Sequence, residues 1–526
     1  MMKIRKISLV KKIAIVFVTA CVVYKIIDCN LLYKNGDVVK VDIDYVAVHF
    51  DLKGSPPLIS YMITLLSTFK KYGVNSILME YEDMFPYEGM LANLSSEIAY
   101  TKRELTEFLL EAKKLDIEII PLVQTFGHME FVLKLKEFYR NRELPYGPAE
   151  LCPSQPSSLN LIRNMLSQVI TFHNAIQPLK HIHIGCDEVY TINVCSKCTV
   201  RNLKSHEIYY RHLINVKDIV QDIRPRTKVL FWSEIYSQKH INLKYELQSV
   251  KDKLNDLQPV DWEYNENVHT ARLYRTHEIF DNMWVASAFK GADGIIAKTP
   301  DMMKRYLNHI HWLKQVLMYR PPRYGVKIKG IILTGWSRYS HFARQCELLP
   351  FAMPSLILNL MLIQLFREGI NWGILNNHTH CELYDLLLKK DFEKVYVNRH
   401  SNLECSFRNL TVYEFHFPNY QGCLSKLSDI KTDFEVNLMT NVHDFSNTVQ
   451  ECNNELSKGV VLSDKLRPVL SEFYRKEVID NYLNENVNVY DTLVGDEISE
   501  LMQKVVVFYA LPKRSFGPLP NLKYGA

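Results

Sequence analysis

The chain lacks the signatures of several large protein classes. No GxGxxG fingerprint and no P-loop follows any run that reads as a strand, so nothing supports a nucleotide-binding sheet. Internal repeats and low-complexity blocks are absent. Charge of one sign is scarce as well. The net charge is +5, and Lys3, Arg5, Lys6, Lys11 and Lys12, all ahead of the first long apolar run, account for it. The rest is near neutral, so a nucleic-acid surface is excluded and the basic cluster reads as a targeting signal. What remains is ordinary globular material: 526 residues, 47% hydrophobic and 23% charged, enough for a large barrel and an appendage.

The apolar run covers residues 13–24, followed by Lys25 and Ile26-Ile27. Its length suits a signal-peptide core, with Val18 and Ala20 as small residues before a cut at Cys21. It stays apolar past that cut, and Lys11, Lys12 and Lys25 can snorkel to lengthen the span. An uncleaved anchor is the favoured reading and a cleaved, secreted chain the alternative. The positive-inside rule then places the N-terminus in the cytoplasm and the bulk of the chain in the lumen of the secretory pathway, in the Golgi or a related compartment, as a single-pass type II membrane protein. Sequons at Asn93, Asn377 and Asn409 fit that side. So do 11 cysteines. Cys195 and Cys198, spaced CxxC, could form half of a zinc site or a redox pair, but no second CxxC follows at ribbon spacing. Disulfides are expected there, with Cys152 as a candidate partner.

From residue 42 short β-branched runs alternate with amphipathic stretches. Strands are expected at 41–50, 74–81, 117–124, 181–186, 228–232, 258–262, 283–286 and 330–334. Helices are expected at 58–72, 102–115, 159–176, 205–223, 302–317 and near 346–365. Eight such units predict an α/β fold, a (β/α)8 TIM-type barrel over residues 41–365, with a doubly wound open sheet as the competitor. Residues 1–40 then form tail, anchor and short stem. Residues 366–526 form a mostly helical C-terminal region, with helices at 381–388, 463–483 and 496–509 and irregular stretches between.

In a barrel of this kind function gathers where strands end. These ends carry His49-Phe50-Asp51-Leu52-Lys53-Gly54, Glu80-Tyr81-Glu82-Asp83, Gln124-Thr125-Phe126-Gly127-His128-Met129-Glu130 and His183-Ile184-Gly185-Cys186-Asp187-Glu188. Later ends carry Trp232-Ser233-Glu234, Trp262-Glu263-Tyr264, Trp284 and Gly335-Trp336-Ser337-Arg338-Tyr339. Carboxylates, a histidine and tryptophans at one mouth suit a sugar, because indole faces stack on pyranose C–H surfaces and charged groups bind hydroxyls. An Asp-Glu dipeptide alone says little. Asp496-Glu497 is another, read as a solvated helix start. Asp187-Glu188 differs because it directly follows an apolar-rich strand with a glycine beside it.

The stretch His181-Ile182-His183-Ile184-Gly185-Cys186-Asp187-Glu188 resembles the signature of family 20 glycoside hydrolases, the β-N-acetylhexosaminidases, and in particular the hexosaminidase D branch. The resemblance runs through most of 44–365. It includes His49 to Pro57, Glu80 to Tyr87, Gln124 to Glu130, Ala286 to Gly291 and Leu333 to Trp336. Cys186 departs from the usual alanine, Trp232-Ser233-Glu234 from a Trp-Asp-Asp pattern, and Asp261-Trp262-Glu263-Tyr264 alters the sixth strand end. The last two bear on substrate preference more than on reaction type. A family 18 chitinase is a poorer fit, since its DxxDxDxE strand motif is missing.

The resemblance implies substrate-assisted retaining hydrolysis of terminal N-acetylhexosamine from glycans, an exception to the two-carboxylate scheme. Glu188 would be the general acid and base, and Asp187 would orient and stabilise the substrate's acetamido group, which attacks the anomeric carbon. A second carboxylate close by is expected to raise the proton affinity of Glu188. His128 would orient the pair, Tyr264 would bond the acetamido group, and Trp232, Trp262, Trp284 and Trp336 would wall the pocket. Asp51, Glu82 and Arg338 would bind hydroxyls. Core packing competes for each tryptophan, and strand-end ion pairs compete for the charged residues. The chemistry needs no metal or organic cofactor. The competing function is a catalytically silent carbohydrate-binding barrel protein of the secretory pathway.

Overall fold

The computed structural model describes residues 36–233, 251–254, 256–268, 273, 276–277, 279–319, 327–376, 392–396, 404–407, 420–437 and 442–509. The expected anchor at 13–27, Glu234, the sequons at Asn377 and Asn409, and the helix expected at 381–388 lie outside these residues. The chain parts into two compact units, Met1–Tyr413 and Glu414–Ala526.

The first unit is a closed barrel of eight parallel strands. In chain order these are β1 (Tyr45–Asp51), β2 (Ser76–Glu80), β3 (Glu118–Leu122), β4 (His181–His183), β5 (Lys228–Trp232), β6 (Leu257–Trp262), β7 (Asn282–Lys290) and β8 (Lys327–Gly335). Each pairs with its neighbours in sequence, and β8 closes on β1 with Leu333 opposite Val48. All eight expected strands are present, which excludes the open sheet.

Alternation along the strands explains the closure. In β1, Val46, Val48 and Phe50 join the outer core against the helices, while Ala47 points into the barrel. The interior is packed by Leu78, Ile120, Leu122, Leu230, Trp232, Val260, Trp284, Ala286 and Ile332. Such a barrel is a filled core and leaves room for a ligand only beyond its strand ends.

Among the described residues, long helices follow six of the strands: α1 (Ile59–Lys71), α2 (Lys102–Lys114), α3 (Pro156–Ile176), α4 (Ser205–Ile223), α5 (Met302–Tyr319) and α6 (Leu349–Glu368). Thr101 and Glu104 form a reciprocal capping box at the start of α2, and Pro156 occupies the first turn of α3. Helix α6 is long and apolar enough to cross a membrane, yet 89% of its apolar window is buried. It is a core helix of the barrel.

The second unit contains α7 (Tyr420–Asn437), α8 (Val442–Leu470), α9 (Lys476–Leu483) and α10 (Val489–Tyr509). Helices at the end of this region were expected. The stretch expected to be irregular is instead helical over α7 and most of α8. These helices are polar on most of their surface and bury narrow stripes such as Cys423 with Leu427, and Leu462, Leu466 and Leu470. Such stripes give a weak periodic signal.

Candidate active site

All eight strand ends contribute to one cavity of about 270 Å³. It is lined by Lys53 after β1, Glu80 of β2, His128 after β3, and Asp187 and Glu188 after β4. The later strands add Trp232, Trp262 and Tyr264, Gly291 and Ala292, and Trp336, Arg338 and Tyr339. The volume is on the scale of one small ligand.

The backbone is strained where the charges converge. His128, Cys186 and Glu188 hold φ of 51°, 75° and 49°, in the left-handed region that side chains rarely adopt. Two glycines make the crowding possible. A Cβ on Gly127 would lie 2.1 Å from the backbone oxygen of Asp187, and one on Gly291 would lie 2.2 Å from that of Trp336. The turns after β3 and β4 thus meet backbone to backbone, which brings His128 over the acid pair.

His128 Nε2 lies 3.2 Å from Glu188 Oε2 and 3.6 Å from Asp187 Oδ2. Burial works against its charge, but Asp187 and the hydrogen bond to Glu188 prevail and raise it to about 10. Asp187 is buried and pushed up to about 6, mainly by desolvation, with the His128 charge opposing. Glu188 is 37% exposed at its side chain, and the His128 hydrogen bond holds it below the usual carboxylate range. The expectation that a neighbouring carboxylate raises Glu188 is therefore corrected. The nearer imidazolium outweighs it, and Asp187 is the raised member of the pair.

Beneath the pair runs a polar chain. Gln124 Nε2 donates to Glu80 Oε1 at 3.1 Å and reaches Asp187 Oδ1 at 3.5 Å. Glu80 Oε2 meets His49 Nε2 at 3.0 Å. Burial would raise Glu80, yet His49 and Lys53 hold it down to about 2. The buried Lys53 ammonium sits 3.2 Å from Glu82 and 3.8 Å from Asp51. Burial would strip its proton, but the two carboxylates outweigh that and raise it.

Trp232, Trp262, Tyr264, Trp336 and Arg338 lie where the strand-end reading put them. Trp262 stacks on Tyr264 with centroids 5.3 Å apart, and Trp232 and Trp336 meet at 5.7 Å. Indole nitrogens of Trp232 and Trp262 are buried without a hydrogen-bond partner among the described residues. Asp51 and Glu82 do not line the cavity. Asp51 accepts from the backbone N–H groups of Lys53 and Ser337 at 3.0 and 2.8 Å, tying the β1 and β8 loops together. Glu82 pairs with Lys53 and with His341 at 2.5 Å.

Trp284 is a clear displacement. It is the third residue of a nine-residue strand whose mouth end is Lys290, so it falls on the barrel floor. There its ring stacks on Tyr45 at 5.0 Å, and its Nε1 donates to Gln258 at 2.8 Å. Gly330 leaves space for its ring, since a Cβ there would lie 2.3 Å from it. Lys53 and Glu80 are cavity residues that the strand-end reading quoted without singling out. Their signal was an ionisable residue at or just past the last inward position of β1 and β2.

Cys152, Cys195 and Cys198 come together, as the expected partnership requires, with Cys152 Sγ 3.3 Å from Cys195 Sγ and 3.7 Å from Cys198 Sγ and no disulfide between them in this structure.

Residues 70–269 match the model of glycosyl hydrolase family 20, catalytic domain. The chain belongs to that family. It is 39% identical over 327 residues to human (Homo sapiens) Hexosaminidase D, covering 60% of this chain and 65% of that protein. To the bovine (Bos taurus) Hexosaminidase D it is 38% identical over 321 residues, covering 59% of this chain and 89% of that one. The crystal structure of a β-N-acetylhexosaminidase from Bacteroides fragilis overlaps 67% of this chain and 71% of its own, at TM-score 0.47 and 15% identity.

Proposed function

We propose that the chain is a β-N-acetylhexosaminidase that removes terminal β-linked GlcNAc or GalNAc by substrate-assisted retaining hydrolysis. The observation that carries this is the arrangement of carboxylates. Asp187 and Glu188 are neighbours in sequence bridged by one imidazole nitrogen. The third cavity carboxylate, Glu80, is fully engaged by His49 and Gln124. A two-carboxylate retaining site needs a free nucleophile facing the acid about 5 Å away. In this reading the substrate's own acetamido oxygen fills that role, and Asp187, buried beside the acid, is left to hold the acetamido N–H.

In this scheme Asp187 holds the acetamido N–H and faces the positive charge that grows as the oxygen attacks C1. Glu188 protonates the departing oxygen and then activates water. Before a sugar binds, His128 keeps the shared proton. A bound sugar displaces water from the half-exposed Glu188 and raises it toward the protonated form. Trp262 and Tyr264 form the wall against which the acetamido group and ring pack, and Arg338 binds a hydroxyl.

The test is turnover by the detergent-solubilised full-length chain of matched aryl β-glycosides carrying GlcNAc, GalNAc or glucose. We expect both acetamido sugars to be cleaved and the glucoside, which has no internal nucleophile, to be slower by roughly a thousandfold or more, as expected when a positioned reactant is lost. Comparable cleavage of the glucoside would overturn the mechanism, and no cleavage of any sugar would overturn the activity.

We further propose that residues 13–27 anchor the chain with the barrel on the lumenal side. The cationic flank of that run supports the orientation. The sequon residue Asn93 is exposed on the barrel, which suits glycan addition.

A further inference from the structure

The hairpin that follows β3 and the loop that follows β4 are joined at a second cluster, separate from the sugar site. Four potential ligand atoms lie there within 4.8 Å of one another: a carboxylate oxygen of Glu143 and the sulfurs of Cys152, Cys195 and Cys198. Glu143, Cys152 and Cys198 are buried to about 1% exposure or less. Cys198 Sγ lies 3.3 Å from Glu143 Oε2, and Cys152 Sγ stands 3.3 Å from Cys195 Sγ and 3.7 Å from Cys198 Sγ.

From this cluster we infer a structural site for a thiophilic divalent cation of the zinc class, held by Cys152, Cys195, Cys198 and Glu143. Three arguments carry it. The first is geometric. Zinc–thiolate bonds of about 2.3 Å in a tetrahedron set sulfur–sulfur edges of about 3.8 Å, close to the spacings here, whereas a disulfide brings two sulfurs to about 2.0 Å. The second is a matter of number. A disulfide between any two of the three leaves the third thiol unbonded beside a carboxylate, while one cation satisfies all four groups.

The third is orientation. Glu143 Oε1 accepts from the backbone N–H groups of Val194 and Cys195 at 2.7 and 2.8 Å. That leaves Oε2 turned toward the sulfurs, the kind of outer hydrogen bonding that aims a metal ligand. Cys195 caps the short helix Ser196–Thr199 and Cys198 lies within it, three residues on, so both sulfurs come to one side.

The site is empty in this structure. Loaded, it would clip together the two loops that carry the acid pair and its histidine. Glu143 and Cys152 bracket the hairpin Arg142–Leu144/Gly147–Leu151. That hairpin bonds the His128 turn through Met129 N–H to Ala149 O and Leu151 N–H to Phe126 O, both at 2.9 Å. Cys195 lies seven residues after Glu188 on the facing loop.

The experiment measures metal and thiols in the full-length chain produced with zinc in the medium. About one zinc per chain should survive dialysis. A mercurial that titrates the cluster should release it. A strong chelator should lower Tm, and added zinc should restore it. Cys195→Ser and Glu143→Gln should each weaken retention at least about tenfold, while Cys423→Ser, in the other unit, should leave it unchanged. Cobalt in place of zinc should give a thiolate-to-metal absorption band that Cys195→Ser weakens. That spectrum and the chelator-dependent Tm are read on the unmutated chain and do not depend on the variants folding. A metal-free chain with two of the three cysteines lighter by two hydrogens would establish a disulfide and overturn the proposal. So would a metal-free chain with three freely titrating thiols.

Discussion

His128 serves two carboxylates from one ring nitrogen, and its charge divides their behaviour. It holds Glu188 down while leaving buried Asp187 at about 6. If Asp187 must be ionised to meet the positive charge of the cyclising sugar, kcat/KM falls as pH drops through about 6. Because the imidazolium lowers Asp187, His128→Gln should move that acid limb to higher pH. An unmoved limb would assign it to another group. The same variant has a stability signature. A histidine raised from 6.5 to about 10 contributes stability fully present below about 6.5 and lost as pH climbs through about 10. The Tm gap between parent and His128→Gln should therefore be widest near pH 6 and shrink toward pH 10.

The two acids separate by leaving group. Glu188→Gln should cripple substrates with poor leaving groups and spare the first step of activated ones. Asp187→Asn should slow both by similar factors and weaken binding of a thiazoline that mimics the cyclised intermediate. Each loss should be roughly a hundredfold or more on an unactivated substrate. A Brønsted series with both variants decides it, and a steep dependence in Asp187→Asn alone reverses the roles. This pair was legible in the sequence because a glycine and an apolar strand frame it. The division of charge between its members was not, since it depends on His128, 59 residues upstream of Asp187 in the chain.

At the level of single elements, the position of a tryptophan along its strand decides its role. Trp262 ends β6 and faces the cavity, whereas Trp284 is the third residue of β7 and sits on the floor. Reading β7 as the four residues 283–286 put Trp284 near the mouth. The strand in fact continues through Ser287, Ala288, Phe289 and Lys290, and the same alternation then puts Trp284 at the bottom. Trp284→Ala should cost about 3–5 kcal/mol of stability, as large aromatic truncations in a core do, with KM unchanged in the folded fraction. Trp262→Ala should instead raise KM roughly three- to tenfold, the scale of one lost ring contact of about 0.5–1.5 kcal/mol. Urea unfolding and steady-state kinetics on both variants check the pair of expectations. A KM effect at Trp284 without loss of stability would return it to the site.

The whole barrel was readable because each strand alternates inward and outward residues between amphipathic helices, and both periodicities survive in sequence. The second unit was less so, because α7 and α8 bury only narrow stripes. Membrane topology depends on a segment outside the described residues, so its test uses the molecule as a whole. If residues 13–27 anchor the chain with the barrel in the lumen, the protein stays with membranes through alkaline carbonate extraction. The barrel should also be protected from protease until the vesicles are opened. Asn93 then meets the glycosylation machinery. It is exposed in a short helical turn, Gly89–Leu94, and its amide nitrogen, the atom a glycan would take, donates to Glu137 Oε1 at 3.2 Å. Glycosidase treatment should increase gel mobility, and Asn93→Gln should reproduce part of that change. Release by carbonate with an N-terminus at Cys21 identifies a cleaved signal and a secreted enzyme. A chain that carries no glycan and is digested without opening the vesicles places the barrel on the cytoplasmic side and ends the lumenal reading.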